Sequence, residues 1–311
     1  ALGCNKYGCI IGSLPKSDLE KFTKFEIKDK DGHIYHPISA LCGYDYTLYL
    51  VSPNKNSTKY LLAYSYSYIK TEYPIFLNIG EKTPISLFGG YTNAAVIDSE
   101  GSIIFIPETV RYHPTNELES SQLPNNEEAI SIACCNSCIY ALSSNGNVYN
   151  TEIDTETEYD QNELNFEKVE SLENVKINEI SGTSNHCFAV SEEGKVYGCG
   201  SNYFGELCVA QETNNIYNFE EIVALKKFDI KSAYAGFIHS LFITKDGKLL
   251  ACGSNENGDL LCNEPSKESV YYPHETEINE NAEFCVAGKS VSAVFIGNDP
   301  IKSPNRKINS F

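Results

Sequence analysis

Short apolar runs of about four to six residues recur along the chain, separated by polar turn residues. In residues 181–208, "SGTSNHCFAVSEEGKVYGCGSNYFGELC", two such runs flank the charged turn "EEG". Residues 234–262, "YAGFIHSLFITKDGKLLACGSNENGDLLC", repeat this order with "KDG" as the turn. Each pair of runs predicts a β-hairpin, because glycine supplies the positive φ that such a turn needs.

Weaker copies of this pattern begin at Cys42, Gly89, Cys134 and Val286. The equivalent apolar positions follow one another at intervals of 45 to 53 residues: Val51, Ile97, Leu142, Val190, Ile243 and Phe295. A period near fifty, with short strands and few helical signals, predicts an all-β fold, a β-propeller of six blades forming a single domain over residues 1–311. A seventh blade in residues 12–41, where "FTKFEIKDKDGHIYHPI" predicts a hairpin, is the alternative.

A motif Gly-x-Asn-x-x-Gly closes each strong repeat and returns at the N-terminus. It is interpreted as structural, a sharp turn leading to a third strand such as "ELCVA". Its three copies are Gly3, Asn5 and Gly8; Gly200, Asn202 and Gly205; and Gly253, Asn255 and Gly258. Because the sixth repeat is incomplete, the N-terminal copy predicts a ring that the N- and C-terminal segments close, with residues 1–10 pairing near Phe295.

The net charge and the cysteine content exclude several classes of function. A formal net charge of −18 excludes a broad basic face for nucleic acid, and no apolar run reaches the ~18 residues of a membrane span. Twelve cysteines lie mostly in apolar runs of a long chain, which indicates buried reduced thiols and a cytoplasmic or nuclear protein. Cys135 and Cys138 form a Cys-x-x-Cys, but no second pair follows at a matching spacing. We therefore expect no metal and no cofactor.

The repeat from Gly236 to Leu260, "GxxHSxxxTxDGxLLxxGSNxxGxL", resembles that of the regulator-of-chromosome-condensation family. The resemblance is specific in residues 181–262 and 1–10, and faint in residues 42–150. It implies a propeller, usually of seven blades, and functions that range from nucleotide exchange on the GTPase Ran to scaffolds, ubiquitin-ligase modules and sensors. The chain departs from the family pattern at two positions: cysteine replaces the usual tryptophan, and only His186 and His239 keep the usual histidine.

No phosphate-binding loop, nucleophile elbow or zinc-protease helix motif is present, so the sequence predicts no enzyme and no catalytic residues. The predicted partner-binding residues lie at and beside the position of the repeat histidine, where a propeller places one rim around its axis. They are Asp45, Tyr46, Asn93, Asn185, His186 and His239. A structural role for the two histidines, bonding to backbone, is the competing interpretation.

The sequence therefore predicts a protein–protein interaction propeller that presents a rim to another protein. The alternative is a guanine-nucleotide exchange factor for a Ran-like small GTPase. Two acidic insertions, residues 108–128 and 151–173, are either solvated linkers or a negative surface that steers a basic partner.

Overall fold

The computed structural model describes residues 26–55, 57, 59–66, 73–111, 117–153, 164–262, 266–278, 281–289 and 292–296. These residues form six antiparallel sheets, numbered 1 to 6 in chain order. The chain divides into two compact units, of which the first holds the described residues up to Gln122 together with Leu164 and Asn165. The second holds Leu123–Ile153 and the described residues from Phe166 onward.

The first unit contains sheets 1 and 2. Sheet 1 comprises β1 (Ile27–Lys28), β2 (Ile34–Cys42), β3 (Tyr46–Ser52), β4 (Leu61–Tyr66) and β5 (Ile75–Phe76). Sheet 2 comprises β6 (Pro84–Gly89), β7 (Ala94–Asp98), β8 (Ile103–Ile106) and β9 (Ser120–Ser121). A short 3-10 helix covers Glu108–Arg111. Strands adjacent in the chain pair with one another, so each sheet is built from local hairpins.

The second unit contains sheets 3 to 6. Sheet 3 comprises β10 (Ala129–Cys134), β11 (Cys138–Ser143), β12 (Val148–Glu152) and β13 (Glu167–Lys168). Sheet 4 comprises β14 (Ile177–Thr183), β15 (His186–Ser191), β16 (Val196–Ser201) and β17 (Asn215–Glu221). Sheet 5 comprises β18 (Ile230–Ala235), β19 (His239–Thr244), β20 (Leu249–Asn255) and β21 (Ser266–Glu275). Sheet 6 pairs β22 (Ala282–Ala287) with β23 (Ser292–Ile296), and 3-10 helices cover Pro124–Asn126, Glu170–Leu172 and Val223–Leu225.

The apolar runs found in the sequence form central strands that are buried on both faces. Every residue of β3, β7, β15 and β19 is buried. Such a strand needs no polar alternation, because protein covers both of its sides. In the second unit, Phe188 of β15 and Phe242 of β19 meet edge to face with ring centroids 5.1 Å apart. Neighbouring sheets of this unit therefore share one core.

The structure differs from the sequence prediction in two details, and a third detail lies outside the described residues. The hairpin predicted in residues 12–41 exists as β1 and β2, but it extends sheet 1 and forms no seventh sheet. The segment "ELCVA", residues 206–210, is not a strand; Leu207 and Cys208 are buried side chains of a turn, and β17 supplies the next strand. The predicted ring closure involves residues 1–10, which lie outside the described residues.

The cysteines in the described residues are free thiols, as expected, except for one pair. Cys208 and Cys252 form a disulfide, which joins the turn after β16 to β20. The prediction of reduced thiols is therefore wrong for this pair, because the turn that was taken for a strand brings Cys208 against the neighbouring sheet. No helix in the described part of the chain is long and apolar enough to cross a membrane.

Candidate functional site

The predicted partner-binding residues all fall in or beside one kind of turn, which joins the first two long strands of each sheet. These turns, called entry turns here, span residues 43–46, 90–93, 135–138, 183–186 and 236–239. In four of them the first residue's N–H donates to the carbonyl of the fourth: Gly43 to Tyr46, Gly90 to Asn93, Cys135 to Cys138, and Gly236 to His239. The two middle residues of each entry turn form its tip.

His186 and His239 are the fourth residues of their turns, and both are buried. The Nε2 atom of His186 lies 2.8 Å from Ser240 Oγ, and that hydroxyl donates to the Glu206 carbonyl at 2.7 Å. One repeat later, His239 Nε2 lies 2.9 Å from Ser292 Oγ, which donates to the Asp259 carbonyl at 2.6 Å. We call each such chain of two hydrogen bonds a His–Ser relay.

The relay fixes the protonation of both rings. The single hydroxyl proton of each serine goes to a carbonyl oxygen, so the serine oxygen must accept from the imidazole, and Nε2 carries the ring proton. Burial, helped by the neighbouring His239, lowers the pKa of His186 to about 3. Burial also lowers the pKa of His239, although the Asp259 carboxylate opposes this shift. Both rings are therefore neutral near pH 7, and a bare Nδ1 is the atom left without a hydrogen-bond partner.

In two entry turns whose fourth residue carries a ring, those ending at Tyr46 and His239, the first residue is glycine; the turn that ends at His186 begins with Thr183. A Cβ on Gly236 would lie 2.5 Å from the Cε1 atom of His239. A Cβ on Gly43 would lie within the ring of Tyr46 in the same way. In these two turns the ring folds back over its own turn, so glycine at the first position is a packing requirement.

In the first unit, Tyr46 occupies the position of the repeat histidine. Its side chain is buried, and its hydroxyl donates to the Asn93 carbonyl at 2.6 Å. The phenol thereby links sheet 1 to the entry turn of sheet 2, as the His–Ser relay links sheets of the second unit. Asn93 holds the same position in sheet 2, and its side chain is also buried.

Asp45 and Asn185 sit at the tips. Asp45 is half-buried and Asn185 is exposed. The Oδ1 atom of Asn185 accepts a hydrogen bond of 3.0 Å from Asn136 Nδ2, a tip residue of sheet 3. These two residues are accessible to a partner, whereas Tyr46, Asn93, His186 and His239 are not. The side chains of Tyr46, His186 and His239 bond between sheets, and the role of all six residues in partner binding stays a prediction.

Sequence reasoning missed several tip residues that are accessible. Tyr44 is 57% exposed, and its ring stacks on that of Tyr91 with centroids 4.5 Å apart. In the second unit, the ammonium of Lys289 lies 5.6 Å from the ring centroid of Phe237. The signal that could have found them is positional: they follow the glycine of the turn and precede the histidine position.

The Gly-x-Asn-x-x-Gly motifs are turns, as predicted. The positive φ expected at Gly205 and Gly258 is confirmed at 81° and 80°, and Gly200 and Gly253 also have positive φ, at 100° and 107°. Asn202 is fully buried; its Oδ1 accepts the Leu207 N–H at 3.0 Å and its Nδ2 donates to the Thr213 carbonyl at 2.8 Å. Asn255 accepts the Leu260 N–H at 3.1 Å in the same way. Gly3, Asn5 and Gly8 lie outside the described residues.

One group of side chains in the described residues has the spacing of a metal site. Polar atoms of Asp29, Asp31 and His33, in the β1–β2 turn, lie within 4.8 Å of one another. Desolvation opposes the shift, but hydrogen bonds from His33, Tyr35 and Asp31 lower the pKa of Asp29 to about 2. The carboxylate of Asp29 is thus already engaged in holding the turn, and the group is an ordinary polar turn at the surface.

Comparison with known proteins agrees with this geometry. Residues 177–206 and 230–259 match the family described as regulator of chromosome condensation (RCC1) repeat. The chain carries RCC1-type repeats. Each matched segment runs from the first strand of a sheet, through the His–Ser relay, to the Gly-x-Asn-x-x-Gly turn. The RCC1-type repeats thus coincide with sheets 4 and 5.

Curated relatives with RCC1-type repeats match only part of this chain. The mouse E3 ubiquitin-protein ligase HERC2 is 31% identical over 93 residues, which are 29% of this chain and 2% of the ligase. The bovine secretion-regulating guanine nucleotide exchange factor is 31% identical over 84 residues, 27% of this chain and 18% of that protein. The chain therefore spans less than a fifth of the length of these relatives.

A solved structure shows the fold. Prp20p from Saccharomyces cerevisiae, whose structure was described with its binding to Gsp1p and histones, superposes with a TM-score of 0.64 at 15% identity. The superposition covers 85% of this chain and 70% of Prp20p. With the six antiparallel sheets, it confirms the predicted all-β propeller fold.

Proposed function

We propose that this chain is a protein-interaction propeller in which the entry-turn tips of each unit contact a partner protein. The observation that carries the proposal is the difference in burial between the fourth residue and the tip residues of an entry turn. The fourth residues Tyr46, His186 and His239 are buried and link neighbouring sheets, while the tip residues Tyr44 and Asn185 reach solvent. A scaffold that holds variable surface residues on fixed turns is how rigid folds commonly present binding sites.

The tips are held in place by hydrogen bonds between neighbouring turns of the same unit. Tyr44 N–H donates to the Tyr91 carbonyl at 2.9 Å, and Asn136 N–H donates to the Ser184 carbonyl at 2.8 Å. Phe237 N–H makes the corresponding bond to Gly288 at 3.0 Å. A surface ordered before binding loses little conformational entropy on association. Aromatic side chains at the tips, such as Tyr44, are residue types enriched at binding hot spots.

Charge supports a partner with a basic surface. The net charge of −18 attracts a basic protein over long range and repels nucleic acid. We place the function in the cytoplasm or nucleus, in a single domain over residues 1–311, with no covalent catalysis and no cofactor. The match to HERC2 covers only 2% of that ligase, so it transfers no ligase chemistry.

Site-specific photo-cross-linking tests this function. A photoreactive phenylalanine analogue is placed at Tyr44, at Phe237, or at Tyr217, which lies on β17 and is 89% exposed. We expect each of the two tip positions to cross-link a partner protein in lysate and the Tyr217 position not to do so. Equal cross-linking from all three positions, or a partner captured only through Tyr217, would contradict the proposal.

The second candidate is guanine-nucleotide exchange on a Ran-like small GTPase. One similar protein is the bovine secretion-regulating guanine nucleotide exchange factor, and Prp20p was described with its binding to Gsp1p. Exchange requires only tighter binding of the nucleotide-free GTPase than of the loaded one, so a non-catalytic surface can perform it. Asp45, an acidic tip residue, is of the type that could perturb a phosphate and magnesium site.

Release of a fluorescent nucleotide from a panel of small GTPases decides between the two functions. An exchange factor would accelerate release, and Asp45→Ala would reduce that acceleration while the protein stays folded. Binding of the partner without any acceleration supports the interaction function and removes the exchange function.

A further inference from the structure

Four cysteines meet where sheets 3 and 4 pack together in the second unit. They are Cys135, Cys138, Cys187 and Cys199, and all four are free thiols. The Cys135 sulfur is in hydrogen-bonding contact with the sulfurs of Cys138 and Cys187, and Cys187 is in contact with Cys199. Cys187 and Cys199 are cross-strand partners on β15 and β16. The fold thus places a second pair of thiols, Cys187 and Cys199, beside the Cys-x-x-Cys pair. The spacing of the cysteines in the sequence did not predict this arrangement.

The cluster occupies the place of a His–Ser relay. Cys138 is the fourth residue of its entry turn, as His186 is in the next sheet. Cys187 follows His186 as Ser240 follows His239, so a relay from sheet 3 to sheet 4 would join positions 138 and 187. Cys135 corresponds to Gly236, where a Cβ is forbidden by the imidazole of His239. In this turn the smaller Cys138 replaces the imidazole. The first position therefore has room for a side chain, and the sulfur of Cys135 occupies that space.

Cys135 and Cys187 share one narrow gap. A Cβ built on Gly182 would lie 3.1 Å from the Cys187 sulfur and 3.2 Å from the Cys135 sulfur. Gly182 is the cross-strand partner of Cys187, so the absence of its side chain leaves both sulfurs facing the same space. The corresponding interface between sheets 4 and 5 already contains an oxidised sulfur pair, Cys208 with Cys252.

We propose that Cys135 and Cys187 form a thiol-oxidation site, in which Cys135 reacts with a peroxide and Cys187 resolves the product as a disulfide between sheets 3 and 4. In the first step the Cys135 thiolate attacks hydrogen peroxide: a sulfur–oxygen bond forms, the oxygen–oxygen bond breaks, and the hydroxide released takes up a proton. In the second step Cys187 sulfur attacks the sulfenic acid: the disulfide forms, and water leaves with the proton of Cys187. Two thiols are oxidised and one peroxide is reduced to two waters.

The neighbouring thiols favour Cys135 as the reactive sulfur. Hydrogen bonds from Cys138 and Cys187 lower the pKa of Cys135, against its burial. Burial raises the pKa of Cys187, as does its contact with Cys135. The thiolate is the nucleophile in thiol oxidation, so the cluster divides into one attacking sulfur and protonated neighbours.

Peptide mapping after peroxide treatment tests the proposal. The folded protein is exposed to hydrogen peroxide, free thiols are alkylated, and a non-reducing tryptic digest is analysed by mass spectrometry. Trypsin releases Cys187 alone in residues 177–195, and Cys199 in residues 196–226. We expect the peptide with Cys135 to be linked to residues 177–195. The link should disappear in Cys135→Ala and Cys187→Ala and persist in Cys134→Ala, the matched control for a buried neighbour.

Several outcomes would overturn the proposal. These are a link that survives in Cys135→Ala, a disulfide from Cys135 to Cys138 alone, or full alkylation of Cys135 and Cys187 after peroxide. Stoichiometric zinc that protects the four thiols from peroxide would also do so. The unmutated protein suffices for the last three readings, so a variant that fails to fold does not remove the test. Formation of the expected link should also raise the melting temperature, because it closes a loop in the unfolded chain.

Discussion

His186 Nε2 and Ser240 Oγ lie 2.8 Å apart across two neighbouring sheets, although 54 residues separate them in the chain. The Ser240 hydroxyl in turn donates a hydrogen bond to the Glu206 carbonyl, so one His–Ser relay connects two sheets and a turn. The repeat histidine is therefore part of the contact between sheets. This relationship gives a structural reason for the histidine in the two repeats that keep it.

Removing the serine hydroxyl should destabilise the protein. Ser240→Ala leaves the buried Nε2–H of His186 without an acceptor, which costs about 1–3 kcal/mol of unfolding free energy. Urea unfolding measures the change, and Asn185→Ala, an exposed neighbour, is the control that should stay within about 0.5 kcal/mol. An equal effect of the two substitutions would show that the relay contributes nothing to stability.

Stability should fall as the pH is lowered below about 6.5. The pKa of His186 is about 3 in the folded protein and near 6.5 when unfolded, so the unfolded state binds the extra proton in this window. The histidine's contribution is present in full above pH 6.5 and is lost as the pH falls toward 3. One pKa unit corresponds to about 1.4 kcal/mol, so the unfolding free energy should be about 2 kcal/mol lower at pH 5 than above pH 6.5.

Comparison of variants isolates this histidine from other titrating groups. His186→Gln should flatten the pH dependence of the unfolding free energy between pH 7 and pH 5. His274→Gln, at an exposed position of β21, is the control and should keep the slope of the unmutated protein. Identical slopes for all three proteins would contradict the neutral, buried state of His186.

The turn glycine Gly205 should tolerate no side chain. Its φ is 81°, and a Cβ there would lie 2.7 Å from the Val270 carbonyl oxygen. Gly32 is a matched control with a φ of 85° and no atom within 4 Å of its Cβ position. Gly32→Ala should cost about 1–2 kcal/mol from the left-handed backbone alone. Gly205→Ala should cost about 1–3 kcal/mol more, from overpacking against β21; equal unfolding free energies would contradict the close approach.

The phenol of Tyr46 should contribute through its hydroxyl. Tyr46→Phe keeps the ring over Gly43 but leaves the hydrogen bond to the Asn93 carbonyl unmade, at a cost of about 1–2 kcal/mol. Tyr44→Phe, at the exposed tip of the same turn, is the paired control. Thermal melting of the two variants checks the difference, and a larger loss in Tyr44→Phe would refute the assignment.

The sequence was sufficient for the repeat and its turns. The period placed Val190 and Ile243 on equivalent buried strands, and the glycine spacing predicted the positive φ of Gly205 and Gly258. These features are local, because a turn of fixed length demands the same residues wherever it occurs. A repeat motif therefore predicts the backbone geometry of its own turns.

The sequence was not sufficient for which side chains face solvent. His186 and Asn185 are adjacent in the chain, but one is buried and the other exposed, because a partner on the next sheet covers the histidine. The clustering of Cys135 with Cys187 was invisible for the same reason. Contacts between sheets join residues about fifty positions apart, and no spacing within one repeat encodes them.

The most direct test is the affinity of each tip variant for the protein that cross-linking identifies at the same tip. Tyr44→Ala and Phe237→Ala are compared with Tyr217→Ala, and the melting temperature of each variant is recorded. The account predicts that each tip substitution weakens binding by roughly tenfold or more, equivalent to about 1.4 kcal/mol, with the melting temperature nearly unchanged. Unchanged affinity in both tip variants, or an equal loss in Tyr217→Ala, would contradict it.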